Sequence, residues 1–161
     1  MFKLKDYVFH THCGVCLVTD IAPLPGDNSG NLYYVLRPLY GDDKGNIVRV
    51  LVKNSSSLRE PYTKKDILKM IESWPSIKQD LYIVDSKRRK TCYESVLSTG
   101  NVNEMGPLIY GAKQRKAKDG HLNAMDAMFV SRAEPILYGS VALALKLKFE
   151  DVPAYLEEKL S

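Results

Sequence analysis

Cysteine, histidine and tryptophan are scarce in this chain of 161 residues, which has three cysteines, three histidines and one tryptophan. So few cysteines, and an odd number of them, do not predict the disulfide framework that holds small secreted domains together. The three histidines leave little material for general acid–base catalysis. The sequence also lacks the nucleophile-elbow, metalloprotease, P-loop and dinucleotide-binding motifs. We therefore predict a protein that is not an enzyme and that has no cofactor and no small-molecule substrate.

Long apolar runs are also missing, and none approaches the roughly 18–20 residues that would span a bilayer. The first six residues do not have the pattern of a signal peptide, so we expect a cytoplasmic protein with no membrane partner. The excess of positive charge is small, since 23 Lys and Arg stand against 19 Asp and Glu, which gives +4. Nucleic-acid binding must therefore be argued from local clusters of cations and not from the overall charge.

The pattern of apolar residues changes near residue 58. Before that point, short runs rich in valine, isoleucine and tyrosine alternate with turn residues, which predicts four or five short strands. After it, apolar residues recur at helical spacing. We therefore predict an α+β protein. In it, residues 1–58 form a small Tudor-like or SH3-like β-barrel, and residues 59–161 form an all-α helical domain.

Capping residues mark the expected helix starts in the second part. Thr63 and Asp66 form a capping box for the first helix. The caps predicted for the second, third and fourth helices are Asp85 or Ser86, Asn103, and Asn123. Pro75 ends the first helix, residues 81–84 form a linker or a short strand, Pro135 kinks or breaks the fourth helix, and a last helix covers roughly residues 152–160.

Four potential metal ligands lie close together near the start of the chain: His10, His12, Cys13 and Cys16. The two cysteines form a C-x-x-C motif, which occurs in zinc sites and in redox dithiols. No second pair of Cys or His residues completes a zinc site, and the motif leads into a predicted strand rather than a helix. The simplest interpretation is a tight turn with no bound metal and with Cys16 buried as a small apolar residue. A zinc site and a redox pair remain as alternatives.

Two compact basic clusters stand out in the helical part, at residues 87–90 and 113–118. The first lies in the first turn of a predicted helix, where each cation meets the positive end of the helix dipole at a cost of roughly 0.3–1 kcal/mol. A phosphate group is an external anion that would offset this cost. The second cluster lies at the end of one helix and in the loop that follows. Runs of Lys and Arg are often merely solvated, but two of them in one small domain predict contact with a nucleic-acid backbone.

Short segments with a characteristic order extend along nearly the whole chain. They are Asp6-Tyr7-Val8, Gly14-Val15-Cys16 and residues 33–40, 48–52 and 58–61 in the first part, followed by residues 85–89, Tyr93 and residues 97–100, 137–139 and 142–145. In order and spacing these segments resemble the CarD family of bacterial transcription regulators. The resemblance implies a Tudor-like domain that binds the lobe of the RNA polymerase β subunit. It also implies a helical domain that contacts promoter DNA at the upstream edge of the bubble and stabilises the open complex.

The resemblance also assigns residues. Arg49 matches the family's arginine at the polymerase contact, and Arg37 is expected beside it in the polymerase-binding set. Ser86 stands where many members have a tryptophan that wedges into the minor groove. The expected DNA-binding residues are Ser86, Lys87, Arg88, Arg89, Lys90, Lys113, Arg115, Lys116 and Lys118. Two alternatives stay open. One is a module that binds polymerase or another protein without DNA, and the other is a zinc- or redox-responsive regulator that uses the cysteine–histidine segment.

Overall fold

The computed structural model of the protein describes residues 1–74 and 82–160. Five strands occupy the first part: β1 (Tyr7–His10), β2 (Gly14–Ala22), β3 (Tyr33–Pro38), β4 (Val48–Leu51) and β5 (Leu58–Arg59). They form one antiparallel sheet in the order β4-β3-β2-β1-β5. The runs of alternating apolar residues therefore do form strands, as the sequence predicts.

The prediction of a closed barrel is wrong. The two outer strands of the described sheet, β4 and β5, are not hydrogen-bonded to each other, so the sheet is an open half-barrel. A short 3-10 turn at Val52–Asn54 interrupts the chain directly after β4. The next strand, β5, has only two residues and pairs with Phe9 and His10 of β1 alone. The architecture is α+β, with this open sheet followed by five helices.

The two faces of the sheet have different roles. One face is the concave inside of the half-barrel, where Val8, Cys16 and Val18 pack with Tyr34 and Leu36. Because side chains alternate along a strand, the neighbouring residues point to the opposite face. There Phe9 and Val15 belong to the core formed with the helices. Further along that same face, Arg37 and Arg49 are exposed.

Five helices follow the sheet: α1 (Lys64–Ser73), α2 (Ser86–Thr99), α3 (Val102–Asp119), α4 (Ala124–Leu145) and α5 (Val152–Leu160). The predicted caps of α1, α2 and α4 are confirmed, since Thr63, Asp85 and Asn123 each accept a backbone hydrogen bond at the helix start. None of the helices in the described ranges has both the length and the hydrophobicity that a membrane crossing needs.

Two local predictions need correction, and two others lie wholly or partly outside the described residues. The third helix is capped by Asn101, whose side chain accepts a hydrogen bond from the backbone N–H of Asn103, so Asn103 lies inside the helix. The fourth helix continues through Pro135 without a break. Residues 82–84 form no strand, which agrees with the linker alternative, while Pro75 and Leu81 lie outside the described residues.

Helices α2 and α4 come close to the sheet and its loops at three glycines. A Cβ atom added to Gly139 of α4 would lie 2.6 Å from Cδ2 of Tyr40, and one added to Gly14 would lie 3.3 Å from Cα of Ile136. At the end of α2, a Cβ atom on Gly100 would lie 2.5 Å from the carbonyl oxygen of Thr11. Glycine thus lets α4 approach the backbone of β2 at Gly14 and the side chain of Tyr40 at Gly139, and lets the end of α2 approach the backbone of the turn after β1.

We expect Gly100→Ala to destabilise the protein markedly more than Gly120→Ala. Both glycines end a helix with positive φ, +65° and +84°, so alanine at either position costs about 1–2 kcal/mol of backbone strain. Only at Gly100 would the new methyl group also collide with backbone atoms, which adds about 1–3 kcal/mol, whereas the space at Gly120 is open. Urea unfolding measures both free energies, and equal losses would show that α2 does not dock on Thr11 as described.

Candidate functional site

The carboxylate of Asp126, in the first turn of α4, joins three helices. Its side chain is almost fully buried, at 3% exposure. One oxygen, Oδ1, accepts a hydrogen bond of 2.8 Å from the hydroxyl of Tyr93 and lies 3.3 Å from Nε of Arg89, both on α2. The other oxygen, Oδ2, lies 3.8 Å from Nη2 of Arg115 on α3. We call these four residues the Asp126 cluster.

Two arginines of the basic clusters are therefore held inside the fold. Arg89 is buried, and its Nη1 donates hydrogen bonds to the carbonyl oxygens of Ile83 (2.9 Å) and Val84 (3.2 Å). The guanidinium groups of Arg89 and Arg115 also lie over the ring of Tyr82, at 4.8 and 4.2 Å from its centre. Their charges are compensated within the protein, so they are not presented to a ligand as the other cations are.

A signal for the burial of Arg89 exists in the sequence. Arg89, Tyr93 and Val96 are spaced by four and three residues, the spacing of one helical face, and all three are buried. Burial raises the pKa of the Tyr93 hydroxyl, and its hydrogen bond to Asp126 raises it further. Tyr93 therefore stays protonated and remains a donor to the carboxylate.

Apart from Lys113, the remaining cations of the two clusters are exposed and lie close in sequence to Arg89 or Arg115. Because Arg89 and Arg115 meet at one carboxylate, the start of α2 and the end of α3 lie together. We call the exposed cations there the basic end. They are Lys87, Arg88 and Lys90 on α2, and Lys116 and Lys118 on α3.

Of the expected DNA-binding set, Ser86 borders the basic end, Lys90 within it has a partner, and Lys113 lies elsewhere. Ser86 is the exposed first residue of α2. Directly before it, the side chain of Asp85 accepts a hydrogen bond of 3.0 Å from the backbone N–H of Lys87. This carboxylate offsets part of the unfavourable interaction between the cations of residues 87–90 and the positive end of the α2 dipole. Lys90 pairs loosely with Glu94 at 3.9 Å. Lys113 lies on another side of α3, where it pairs with Glu134 of α4 at 3.7 Å.

The two expected polymerase-binding arginines share the exposed part of the sheet. Arg49 on β4 stands opposite Val35, and Arg37 lies two residues further along β3 on the same face. Nη1 of Arg37 donates a 2.8 Å hydrogen bond to the carbonyl oxygen of Gly45, while Arg49 is exposed on an outer strand. Tyr7, 47% exposed, lies on the same face. We call Tyr7, Arg37 and Arg49 the sheet surface.

The cysteine–histidine segment forms a hydrogen-bonded turn. Nδ1 of His10 accepts backbone hydrogen bonds from His12 (3.1 Å) and Cys13 (3.3 Å), and the thiol of Cys16 donates to the carbonyl oxygen of Gly14. Burial lowers the pKa of His10, with a further contribution from His12. Burial also raises the pKa of Cys16 to about 12, which disfavours a reactive thiolate. In the described part of the chain, no three His, Cys, Asp or Glu side chains are grouped so that they could hold a metal ion.

Neither a protein-family model nor a curated protein matches this chain. The candidate sites therefore rest on the geometry and charge of the residues themselves. Two exposed surfaces result: the basic end of the helices and the sheet surface. The Asp126 cluster is the structural element that positions the first of them.

We expect Asp126→Asn to lower the free energy of unfolding by about 3 kcal/mol, because it leaves a buried arginine without its anionic partner. Asp66→Asn is the matched control, since Asp66 occupies the equivalent position in α1 but is exposed there. The asparagine amide can still accept the capping hydrogen bond of Thr63, so we expect a much smaller loss. Urea unfolding measures both variants, and similar losses would contradict the role of Asp126 as a node between helices.

Proposed function

We propose that the protein is a non-enzymatic, cytoplasmic transcription regulator that binds the RNA polymerase β subunit through the sheet surface and promoter DNA through the basic end. The observation that carries this proposal is the Asp126 cluster, which brings exposed cations of α2 and α3 to one end of the helices. The resemblance of the chain to the CarD family supports the same division of labour. The open half-barrel departs from the closed Tudor-like barrel that this resemblance implies.

Binding of DNA at the basic end would be mainly electrostatic. Lysine and arginine side chains that contact phosphates release condensed counterions, which gives affinity without reading the base sequence. Ser86 is small and polar, so it cannot act as an apolar wedge between base pairs. The proposed contact therefore positions the protein on DNA but does not select a sequence.

The sheet surface has the features of a protein-binding site. Arg49 lies on β4, an outer strand of the described sheet, and Arg37 and the exposed Tyr7 lie on the same face. Arginine and tyrosine are enriched at protein interfaces. The effect on transcription follows from linkage, since a factor that binds the open complex more tightly than the closed complex shifts their equilibrium by that difference in affinity.

We expect Arg49→Glu to weaken binding to the isolated lobe of the RNA polymerase β subunit by at least about tenfold, because the change reverses a charge at the proposed contact. Lys53→Glu is the matched control, since Lys53 is also exposed and lies in the 3-10 turn that follows β4. Titration of labelled lobe measures both affinities. Equal affinity of the wild type and Arg49→Glu would contradict the proposal, as would an equal loss in the two variants.

We expect the double variant Lys87→Ala/Arg88→Ala to bind duplex DNA more weakly and with a salt dependence lower by roughly 2 in logarithmic slope, since two phosphate contacts are lost. The matched control is Lys64→Ala/Lys65→Ala, which removes two exposed lysines from the first turn of α1. Both variants lose two positive charges from the first turn of a helix. Fluorescence anisotropy at several salt concentrations distinguishes a local site from a general charge effect, which would change both variants equally.

A second candidate function is an interaction module that binds polymerase or another protein and never touches DNA. The internal pairing of Arg89 and Arg115 favours it, because it removes two of the cations expected at the DNA surface. The same anisotropy experiment separates the two functions. Wild-type protein without salt-dependent affinity for DNA would support the interaction module.

A further inference from the structure

The turn between β1 and β2 lies where the sheet meets the helices. Thr11 in this turn lies against the end of α2, since a Cβ atom added to Gly100 would be 2.5 Å from its carbonyl oxygen. Gly14, the first residue of β2, lies against Ile136 of α4. The segment therefore touches both α2 and α4, and we call residues 10–14 the docking turn.

The imidazole of His10 holds the docking turn together. His10 is 8% exposed, and its Nδ1 accepts hydrogen bonds from the backbone N–H groups of His12 (3.1 Å) and Cys13 (3.3 Å). A neutral imidazole that accepts a hydrogen bond at Nδ1 carries its proton on Nε2. The docking turn therefore requires His10 to be neutral and in this one tautomer.

A proton on Nδ1 of His10 is incompatible with this geometry. It converts the acceptor into a donor that faces two backbone donors, and it leaves these N–H groups without their partner. Because His10 is buried, the charged ring would also be deprived of hydration. In the described ranges, His10 belongs to no group of three His, Cys, Asp or Glu side chains that could hold a metal ion. Protonation of His10 therefore favours a conformation in which the docking turn is open.

The charged groups near the docking turn do not compensate a proton on His10. Burial lowers the pKa of His10, and so does His12, whose ring centre lies 5.7 Å from that of His10. Burial raises the pKa of the Cys13 thiol, which stays neutral. The last turn of α2 carries no charged side chain, and no described carboxylate forms an ion pair with His10. The charged side chains on the other neighbouring elements are Arg59 of β5, Arg132 of α4, and Asp42 and Asp43 before β4.

We propose that His10 is a proton-sensitive latch between the sheet and the helices. Its protonation at mildly acidic pH opens the docking turn and loosens the contacts of α2 and α4 with the sheet, because Thr11 and Gly14 make those contacts. The latch is a property of the fold itself. It does not depend on the partners proposed for the sheet surface and the basic end.

The direction of the pKa shift fixes the pH range in which the latch acts. The fold lowers the pKa of His10 below its ordinary value of 6.5, so the unfolded chain binds this proton first as the pH falls. The stability that neutral His10 provides is therefore intact above pH 6.5 and is lost progressively between pH 6.5 and the lower pKa of the folded protein. One such group changes the folding equilibrium constant by at most about tenfold per pH unit.

His10→Asn tests the latch, because the Oδ1 of asparagine can accept the same two backbone hydrogen bonds in an Asx turn but does not titrate. His121→Asn is the control, since His121 is exposed and lies outside the docking turn. Between pH 7 and pH 5, we expect the unfolding equilibrium constant from urea titrations to rise at least about fivefold more in the wild type than in His10→Asn. His121→Asn should behave like the wild type. Equal pH dependence of the wild type and His10→Asn would overturn the proposal.

An NMR titration of the wild type provides a second test that needs no variant. At pH 7 we expect the imidazole of His10 to have a proton on Nε2 and none on Nδ1. As the pH falls, the ring should titrate with a midpoint below 6.5, and the backbone amide resonances of His12, Cys13 and Gly100 should shift with the same midpoint. A proton on Nδ1 at pH 7, a midpoint of 6.5 or higher, or amide resonances that do not follow the ring would each overturn the latch.

Discussion

The helical part of this protein is organised around one buried carboxylate. A buried charge must be compensated, and Asp126 is compensated by Arg89 of α2 and Arg115 of α3, with Tyr93 as an additional donor. Asp126 also lies in the first turn of α4, where the helix dipole favours a negative charge. Asp126 therefore stabilises the start of α4 and, through its two arginine partners, fixes the positions of α2 and α3. The position of every exposed cation at the basic end follows from that arrangement.

The second constraint is the direct contact between helices and sheet. The face of the sheet that carries Phe9 and Val15 is covered by helices, and the same face continues outward to the exposed residues Arg37 and Arg49. Since the sheet does not close, β4 remains an outer strand with one edge unpaired in the described structure. Such an edge is a place where another chain can dock. The open half-barrel thus leaves the edge of β4 beside Arg49 unpaired in the described structure, whereas a closed barrel would pair that edge.

Much of this fold follows from local sequence signals, whereas the arrangement of the site does not. The strands and most helix starts are set by alternation and by capping residues within a few positions, such as Thr63 with Asp66. Barrel closure depends on whether β5 pairs with β4. The sequence of β5, a strand of only two residues, does not indicate whether this pairing forms. In the run of residues 87–90, the sequence shows four similar cations. Arg89 turns inward because it pairs with Asp126, which is distant in the sequence. The helical spacing of Arg89 and Tyr93 is a local signal of this burial.

A single helix runs from the basic end to the β5 side of the sheet. α2 begins at the basic end and finishes at Gly100, which lies against Thr11 beside the sheet. Arg59 of β5 secures this end, since it donates a 3.1 Å hydrogen bond to the carbonyl oxygen of Gly100 and lies 4.6 Å from the centre of the Phe9 ring. With 14 residues, α2 is about 21 Å long. The protein would therefore hold a partner at the basic end and a partner at the sheet surface at a fixed separation. Each partner would bind more tightly in an assembly that already presents the other partner at this separation.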